Sequence, residues 1–452
     1  DLAKTKSQFY AQAKVVIMLK INIIGAGLAG SEAALYLANK GYKVNLFEIK
    51  TKAKTPAHHS NNFAEIVCSN SFKSDDENSA AGLFKRELLM LGSTLIKTAY
   101  DFKVPAGQAL AVDREKFSAH ITALLKSNKN INIICQDVGE FETDAITIVA
   151  TGPLTTENMS NALQSKLGQQ FFYFYDAAAP IIDAESIDLN KAFFASRYGK
   201  GNADYLNCPM DKQEYLNFYT ELVNAQRVEL HDFEKNNIFE SCMPIEIMAA
   251  RGEDAIRFGP LKPVGFTNPH NNSKPYAVVQ LRKENNCATM FNMVGFQTNL
   301  TFPEQKRVFR LIPGLENAQF LRYGVMHTNH FVNFPSCLDE YSRLKNDNNI
   351  FIAGQLSGVE GYVESIASGL YCAINADRML KNQPLINFSA NTIIGGMYNY
   401  LVNANTAHFQ PINANYGVLN PINMRDKAER NKQYRVRSLA EIDEKLKILK
   451  EN

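Results

Sequence analysis

The chain offers little to a disulfide or zinc framework. Its seven cysteines fall at irregular positions across 452 residues, and no two form a CxxC pair. That spacing favours reduced thiols in a cytoplasm. No apolar run approaches the ~18–20 residues that span a bilayer, so a membrane partner is not expected. Residues 1–17 precede a second plausible start at Met18. They lack the long apolar stretch and small-residue cleavage site of a secretory leader and read as a tag or extension. Charge of one sign is also missing. The 48 basic and 46 acidic side chains leave a formal net charge of +2, so any basic surface must be local. Apolar residues make up 45% of the chain, which suits a folded protein, and the length suggests two or three domains.

The most informative segment comes early. Residues 19–24 form a short apolar strand, followed by Gly25-Ala26-Gly27-Leu28-Ala29-Gly30 and then a helical stretch closed by Gly41. A second strand, KVNLFEI, follows and carries Glu48 near its end, 18 residues after Gly30. This is a βαβ unit with GxGxxG in its first turn. Gly25 permits the tight turn, Gly27 lets the backbone approach a pyrophosphate, and Gly30 allows close helix–strand packing. Ala26 lies within the turn. The helix N-terminus offers N–H groups and partial positive charge to phosphates, and Glu48 is placed to accept hydrogen bonds from a ribose.

Two later segments favour FAD over NAD. The strand at 145–150 runs into Thr151-Gly152, similar to the second glycine motif of two-domain flavoproteins. Phe351-Ile352-Ala353-Gly354-Gln355 resembles their third motif, where a strand meets a helix facing the flavin. The expected fold class is α/β: a Rossmann-type FAD-binding domain of the two-domain, glutathione-reductase-like kind, with an inserted α+β domain. The boundaries read as 18–190 for the first part of the FAD domain and 191–325 for the insertion. Residues 326–452 then supply the second part and a helical, basic C-terminal tail. Other expected elements are a loop-like stretch over 51–82, one helix from about Leu83 to Ala99, a helix over 113–127 and a strand at 131–134. The chain should end in a helical hairpin and a final charged helix.

A cysteine outside the core can act through its thiolate as a nucleophile, or as a base that moves a proton. Cys68, in IVCSNS, lies where an apolar strand end opens into a polar loop. Cys242, in FESCMPIE, is flanked by glutamates and a turn proline. Both stand out against the ordinary role of cysteine as a small buried hydrophobe. Cys135, Cys208, Cys287, Cys337 and Cys372 read as core or incidental. His58 and His59 lack companions at metal-ligand spacing, so no metal is expected. From Arg425 to Arg437 there are six basic residues against two acids, with Tyr434 among them. That run either tracks a phosphate backbone or is a solvated helix face.

Together these segments carry a family resemblance. The strings IIGAGLAGSEAA, TPAHHS, EIVCSNS, PAGQALAVDREKFS, RYGKGNADYLNCPM, FESCMPIE, FGPLKPVG, PYAVVQLR, NMVGFQT, EQKRVFRLIPGLENA and FIAGQLSGVEGYVESIASG span residues 19 to about 370. FQPINANYG, at 409–417, extends them. The chain resembles the folate- and FAD-dependent RNA uridine-5-methyltransferases. The resemblance implies a reductive methylation that forms 5-methyluridine. FAD, 5,10-methylenetetrahydrofolate and NADH or NADPH would be the cofactors, and no obligate protein partner is implied. It matches Cys242 to the nucleophile and Cys68 to the second essential cysteine, the base at carbon 5, with the two roles exchangeable. It assigns Gly25, Ala26, Gly27, Gly30, Glu48, Gly152, Gly354, Gln355 and Gly361 to the cofactor.

Ser241, Asn299 and the string Met326-His327-Thr328-Asn329-His330 depart from the family pattern. These departures tilt the expected RNA toward 23S ribosomal RNA, beside the T-loop of transfer RNA. Three rival readings follow from the same residues. One is an FAD enzyme of the glucose-inhibited-division type, acting on the wobble uridine of transfer RNA. The second is a non-catalytic RNA-binding flavoprotein, and the third an FAD oxidoreductase acting on a small molecule.

Overall fold

In the computed structural model the described residues are 20–50, 52–54, 58–168, 171–177, 179–228, 243–283, 288–324, 326–406, 409 and 411–450. The leading segment 1–17, Cys242 and Cys287 lie outside them. Strand β1 (Lys20–Ile24), helix α1 (Leu28–Asn39) and strand β2 (Val44–Phe47) form the βαβ unit. β1 is central in a six-stranded sheet. Its strand order is Arg343–Leu344, Asp347–Ile352, Ala145–Val149, β1, β2, Ile131–Ile134. All pairings are parallel except that of the short edge strand 343–344. A strand buried on both faces needs apolar residues without alternation. Ala145–Val149 fits this, since all five of its residues are buried.

Helix α1 and the helix Tyr362–Leu380 cover this sheet at very close range. A Cβ added at Gly369 would lie 2.1 Å from Ala29 O. Only glycine lets the two backbones meet there.

A second six-stranded sheet, antiparallel throughout, forms the inserted lobe. Its order is Phe193–Ala195, Tyr205–Met210, Ala277–Lys283, Met290–Met293, Ile181–Asp183, Phe320–Arg322. The lobe therefore begins structurally at Ile181, ahead of the change in composition at 191. The helix Lys212–Asn224 packs on it. Asp211 and Glu214 make a reciprocal capping box there, and the i, i+3, i+7 residues Tyr215, Phe218 and Leu222 are buried. A two-stranded ribbon, Phe171–Ala177 against Met326–Val332, joins the lobes. The chain enters and leaves the insertion side by side.

Three elements differ from expectation. The stretch 51–82 contains a strand, β3 (Ser71–Ser74). The helix expected over 83–99 is two helices, α2 (Ala80–Met90) and α3 (Thr94–Asp101). Gly92 breaks it with φ of +85°, and Ser93 caps α3 by accepting Ile96 N–H at 3.2 Å. A buried carboxylate completes the new N-terminus: Glu32 of α1 accepts Thr94 N–H at 2.9 Å, Leu95 N–H at 2.8 Å and Ser93 Oγ–H at 3.0 Å. Finally, the basic run and the charged end form one helix, Lys427–Lys450.

Glu87 of α2 plays the same part for the helix Ile393–Asn403, accepting Ile393 N–H at 2.7 Å and Ile394 N–H at 3.0 Å. It also accepts a hydrogen bond from Ser438 on the C-terminal helix. Burial pushes both glutamates up to about 7, against the pull of these donors. Between about pH 4.5 and 7 each therefore keeps in the fold a proton that the unfolded chain has lost. Stability should therefore fall as pH rises from about 4.5 to about 7 and level off above, by up to ~3 kcal/mol per group. Urea unfolding midpoints across that window check this. Glu32→Gln and Glu87→Gln should each flatten the slope, and an unchanged slope in both would refute it.

Candidate active site

The glycine turn sits at the carboxyl end of β1. Gly25 has φ of +100° and donates its N–H to Phe47 O at 2.8 Å. A Cβ there would fall 2.5 Å from Ala150 O, so the ends of three strands converge on this residue. A Cβ on Gly30 would be 1.8 Å from Gly25 O, which is the close packing of helix on turn. Gly27 is different: no protein atom would lie within 4 Å of its Cβ. Gly152, with φ of +71°, is equally open. Glu48 lies just past β2, its carboxylate fixed by Ala26 N–H on Oε2 and Lys50 N–H on Oε1, both at 2.8 Å.

Most of these residues line one cleft. Of the nine expected cofactor residues, Gly25, Gly27, Glu48, Gly152, Gly354 and Gln355 line it. Ala26, Gly30 and Gly361 do not face the cleft. Ala26 is buried and acts through its N–H, Gly30 packs inward, and Gly361 crowds Glu364, whose Oε2 would stand 2.1 Å from an added Cβ. Gln355 Nε2 donates to both carboxylate oxygens of Glu360, at 2.9 and 2.8 Å, which fixes the amide.

Sequence reading missed other residues. Lys50 and Glu65 form a buried ion pair at 3.0 Å on the cleft wall. Tyr362 and Ser365, from the start of the helix Tyr362–Leu380, also line the cleft.

The Cys68 loop runs along the same wall. Val67 lines the cleft, and Cys68 follows, half-buried. Tyr362 Oη accepts N–H bonds from Cys68 at 2.8 Å and Ser69 at 3.0 Å. Burial, and next the neighbouring Cys68, push the Tyr362 hydroxyl well above its ordinary value, so it keeps its proton. Arg114 donates to Ile66 O at 2.8 Å and Arg322 to Cys68 O at 3.1 Å. The structure thus ties the backbone of Cys68 to the wall of the cleft that the residues expected at the cofactor line.

Cys242 and Ser241 belong to 229–242, outside the described residues. Asn299, a family departure, is buried and joins the two flanks of that segment. Its side chain donates to Val228 O at 3.0 Å, and its N–H to Glu246 Oε1 at 2.7 Å.

Cys208, Cys337 and Cys372 are buried, and burial pushes Cys337 up to about 11 and Cys372 up to about 12. Such thiols stay protonated near neutrality. His58 lines the cleft. His59 is held by its own N–H to Glu65 Oε1 at 2.9 Å, and its ring is shifted down by burial and then by Arg322. Among the described residues no group of three or more His, Cys, Asp or Glu could hold a metal ion. Nor is any described helix long and apolar enough to cross a membrane.

The basic run is less available than its sequence suggested. Tyr434 is buried and stacks on Tyr416, Arg435 pairs with Glu77, and Arg437 donates to Asn420 O at 2.7 Å.

A family model described as glucose inhibited division protein A matches residues 20–384. Two solved structures of Aquifex aeolicus GidA share the fold. The form II crystal gives a TM-score of 0.69 at 17% identity, covering 96% of this chain and 74% of that one. Form I gives 0.66 at 15%, covering 94% and 77%. Sequence relatives resolve the branch. The methylenetetrahydrofolate–tRNA-(uracil-5-)-methyltransferase TrmFO of Acetivibrio thermocellus is 53% identical over 95% of this chain and 98% of its own. The chain belongs to that methyltransferase family. The enzyme of the same name from Fusobacterium nucleatum is 50% identical over 95% and 99%. That from Desulfitobacterium hafniense is 51% identical over 94% and 98%. The protein is therefore an enzyme, a methyltransferase on a Rossmann-type flavoprotein fold. The glucose-inhibited-division rival describes its wider class and not its branch.

Proposed function

We propose that this enzyme forms 5-methyluridine in transfer RNA, with FAD in the cleft, the new carbon coming from 5,10-methylenetetrahydrofolate and the electrons from NADH or NADPH. The observation that carries this reading is the joint at Tyr362. One side chain lines the cleft and holds the backbone N–H groups of Cys68 and Ser69. When bound, the flavin supplies the redox chemistry and a reactive one-carbon unit.

The chain supplies the rest. Gly27 and Gly152 leave the backbone open beside the N-terminus of α1 and would hold the pyrophosphate there. Glu48 would accept the ribose hydroxyls through lone pairs left by its two backbone donors. The Cys242 thiolate adds to carbon 6 of uracil, and the electron pair displaced to carbon 5 attacks the one-carbon unit. Cys68 removes the carbon 5 proton as the bond from the one-carbon unit to its carrier breaks, which leaves an exocyclic methylene. A hydride equivalent drawn from NADH or NADPH reduces that methylene to methyl, and loss of the Cys242 thiolate restores the 5,6 double bond.

The test is methylation in vitro with NADH, FAD and carbon-labelled methylenetetrahydrofolate. Unmodified transfer RNA and unmodified 23S ribosomal RNA are offered in separate reactions. Label in 5-methyluridine from transfer RNA alone is expected, and label from ribosomal RNA alone would overturn the choice of substrate. Gly27→Ala isolates cofactor binding, because the added methyl meets only the open cleft. Purified Gly27→Ala should carry at least about tenfold less flavin, while its flavin-free form should unfold at the midpoint of flavin-free wild type. Full flavin content, read from its visible absorbance, would count against this placement of the pyrophosphate.

A further inference from the structure

We infer that Asn70 and Arg282 are positioning residues for Cys68, and that the inserted lobe thereby sets where the thiol stands. Asn70 is two residues past Cys68 and fully buried. Its Nδ2 donates to Val112 O at 3.1 Å and to Lys283 O at 2.8 Å, while its Oδ1 accepts Arg282 Nε–H at 2.8 Å. Both amide hydrogens and the carbonyl are used, so only one orientation of the side chain satisfies all three partners. Val112 N–H in turn donates to Asn70 O at 2.9 Å. Arg282 and Lys283 end the strand Ala277–Lys283 of the second sheet, and Arg282 is itself buried.

A second arginine reaches the loop from the far edge of that sheet. Arg322, on the strand Phe320–Arg322, donates to Cys68 O at 3.1 Å. On the opposite side Tyr362 of the cofactor lobe accepts the N–H of Cys68. One peptide stretch, Cys68 to Asn70, is thus spanned by both lobes. The cofactor lobe fixes how near the loop lies to the cleft. The inserted lobe fixes its other face through charge-assisted and amide hydrogen bonds, which are short, directional and poorly replaced by water in a buried site.

The assignment of Cys68 to catalysis rests on the function proposed above, but its position can be measured without that reading. Arg282→Gln removes the charged donor and keeps a side chain of similar reach. The holoenzyme variant is expected to lose roughly 10- to 100-fold in kcat. KM for RNA and flavin content should stay near wild type, and Arg282→Lys should recover part of the loss. Independently, the rate of iodoacetamide alkylation at Cys68, followed on its own peptide by mass spectrometry, should shift several-fold while that at Cys135 does not. Asn70→Asp, which keeps the acceptor for Arg282 and loses both amide donors, should do the same. It serves also if Arg282→Gln yields no folded protein. A folded, flavin-loaded variant with wild-type kcat and wild-type Cys68 alkylation overturns the inference. If Cys68→Ala proves active while alkylation still shifts in the variants, the positioning stands and the catalytic reading of Cys68 falls.

Discussion

Cys68→Ala is expected to lower 5-methyluridine formation by roughly 10²- to 10⁴-fold, the usual effect of removing a positioned acid or base. Flavin content should not change. The contacts that seat the loop run through the backbone, to Tyr362 Oη and from Arg322, and alanine keeps both the N–H and the carbonyl. The two cysteine roles separate on RNA carrying 5-fluorouridine, whose carbon 5 has no proton to lose. If Cys242 is the nucleophile, wild type and Cys68→Ala form a covalent RNA complex that survives denaturing electrophoresis, and Cys242→Ala forms none. The reverse pattern exchanges the roles. Full activity in Cys68→Ala removes it from the chemistry altogether.

The second large effect is expected far from any reacting atom. In Gly369→Ala the new methyl would sit 2.1 Å from Ala29 O and 2.7 Å from Ala29 C, both backbone atoms. No rotamer change relieves this, so α1 and the helix Tyr362–Leu380 must move apart. We expect a destabilisation of about 3 kcal/mol or more, read as a lower urea midpoint. Flavin should be lost as well, because both helices present their N-terminal residues to the cleft. The contrast with Gly27→Ala is diagnostic when flavin-free proteins are compared: that variant unfolds like flavin-free wild type, and Gly369→Ala unfolds earlier. A Gly369→Ala protein with wild-type midpoint and flavin would mean that the helices tolerate separation.

Much of the cofactor lobe was legible because its signals are local. A strand, three glycines, a helix and Glu48 fall in sequence, and the strand at 145–149 and the last three residues of the strand at 347–352 are largely apolar stretches running into glycine motifs. What escaped was tertiary. The break between α2 and α3 depends partly on the carboxylate of Glu32, which lies on another helix. Tyr362 reads as an ordinary helical residue until its hydroxyl is seen to hold the backbone of Cys68. Asn70 looks like one more polar loop residue, and only the partner strand explains its burial. Tyr434 misled in the other direction. Its run of arginines and lysines read either as a stripe tracking a phosphate backbone or as a solvated helix face, and under both readings the ring would face outward, yet it is packed inward against Tyr416.

The order of strands in the parallel sheet bears on how the chain is made. β1 is translated early, but the strand that pairs with the far side of Ala145–Val149 is Asp347–Ile352, and the helix that seals the face ends at Leu380. Between them the ribosome must deliver the whole inserted lobe, whose own sheet closes within residues 181–322. The lobe that enters the sequence as an interruption can therefore finish folding first. Until the later strand emerges, Ala145–Val149 waits with an open edge, a state that invites pairing with other chains. For this enzyme, elongation between residues 149 and 352 is when a nascent chain would most need a chaperone.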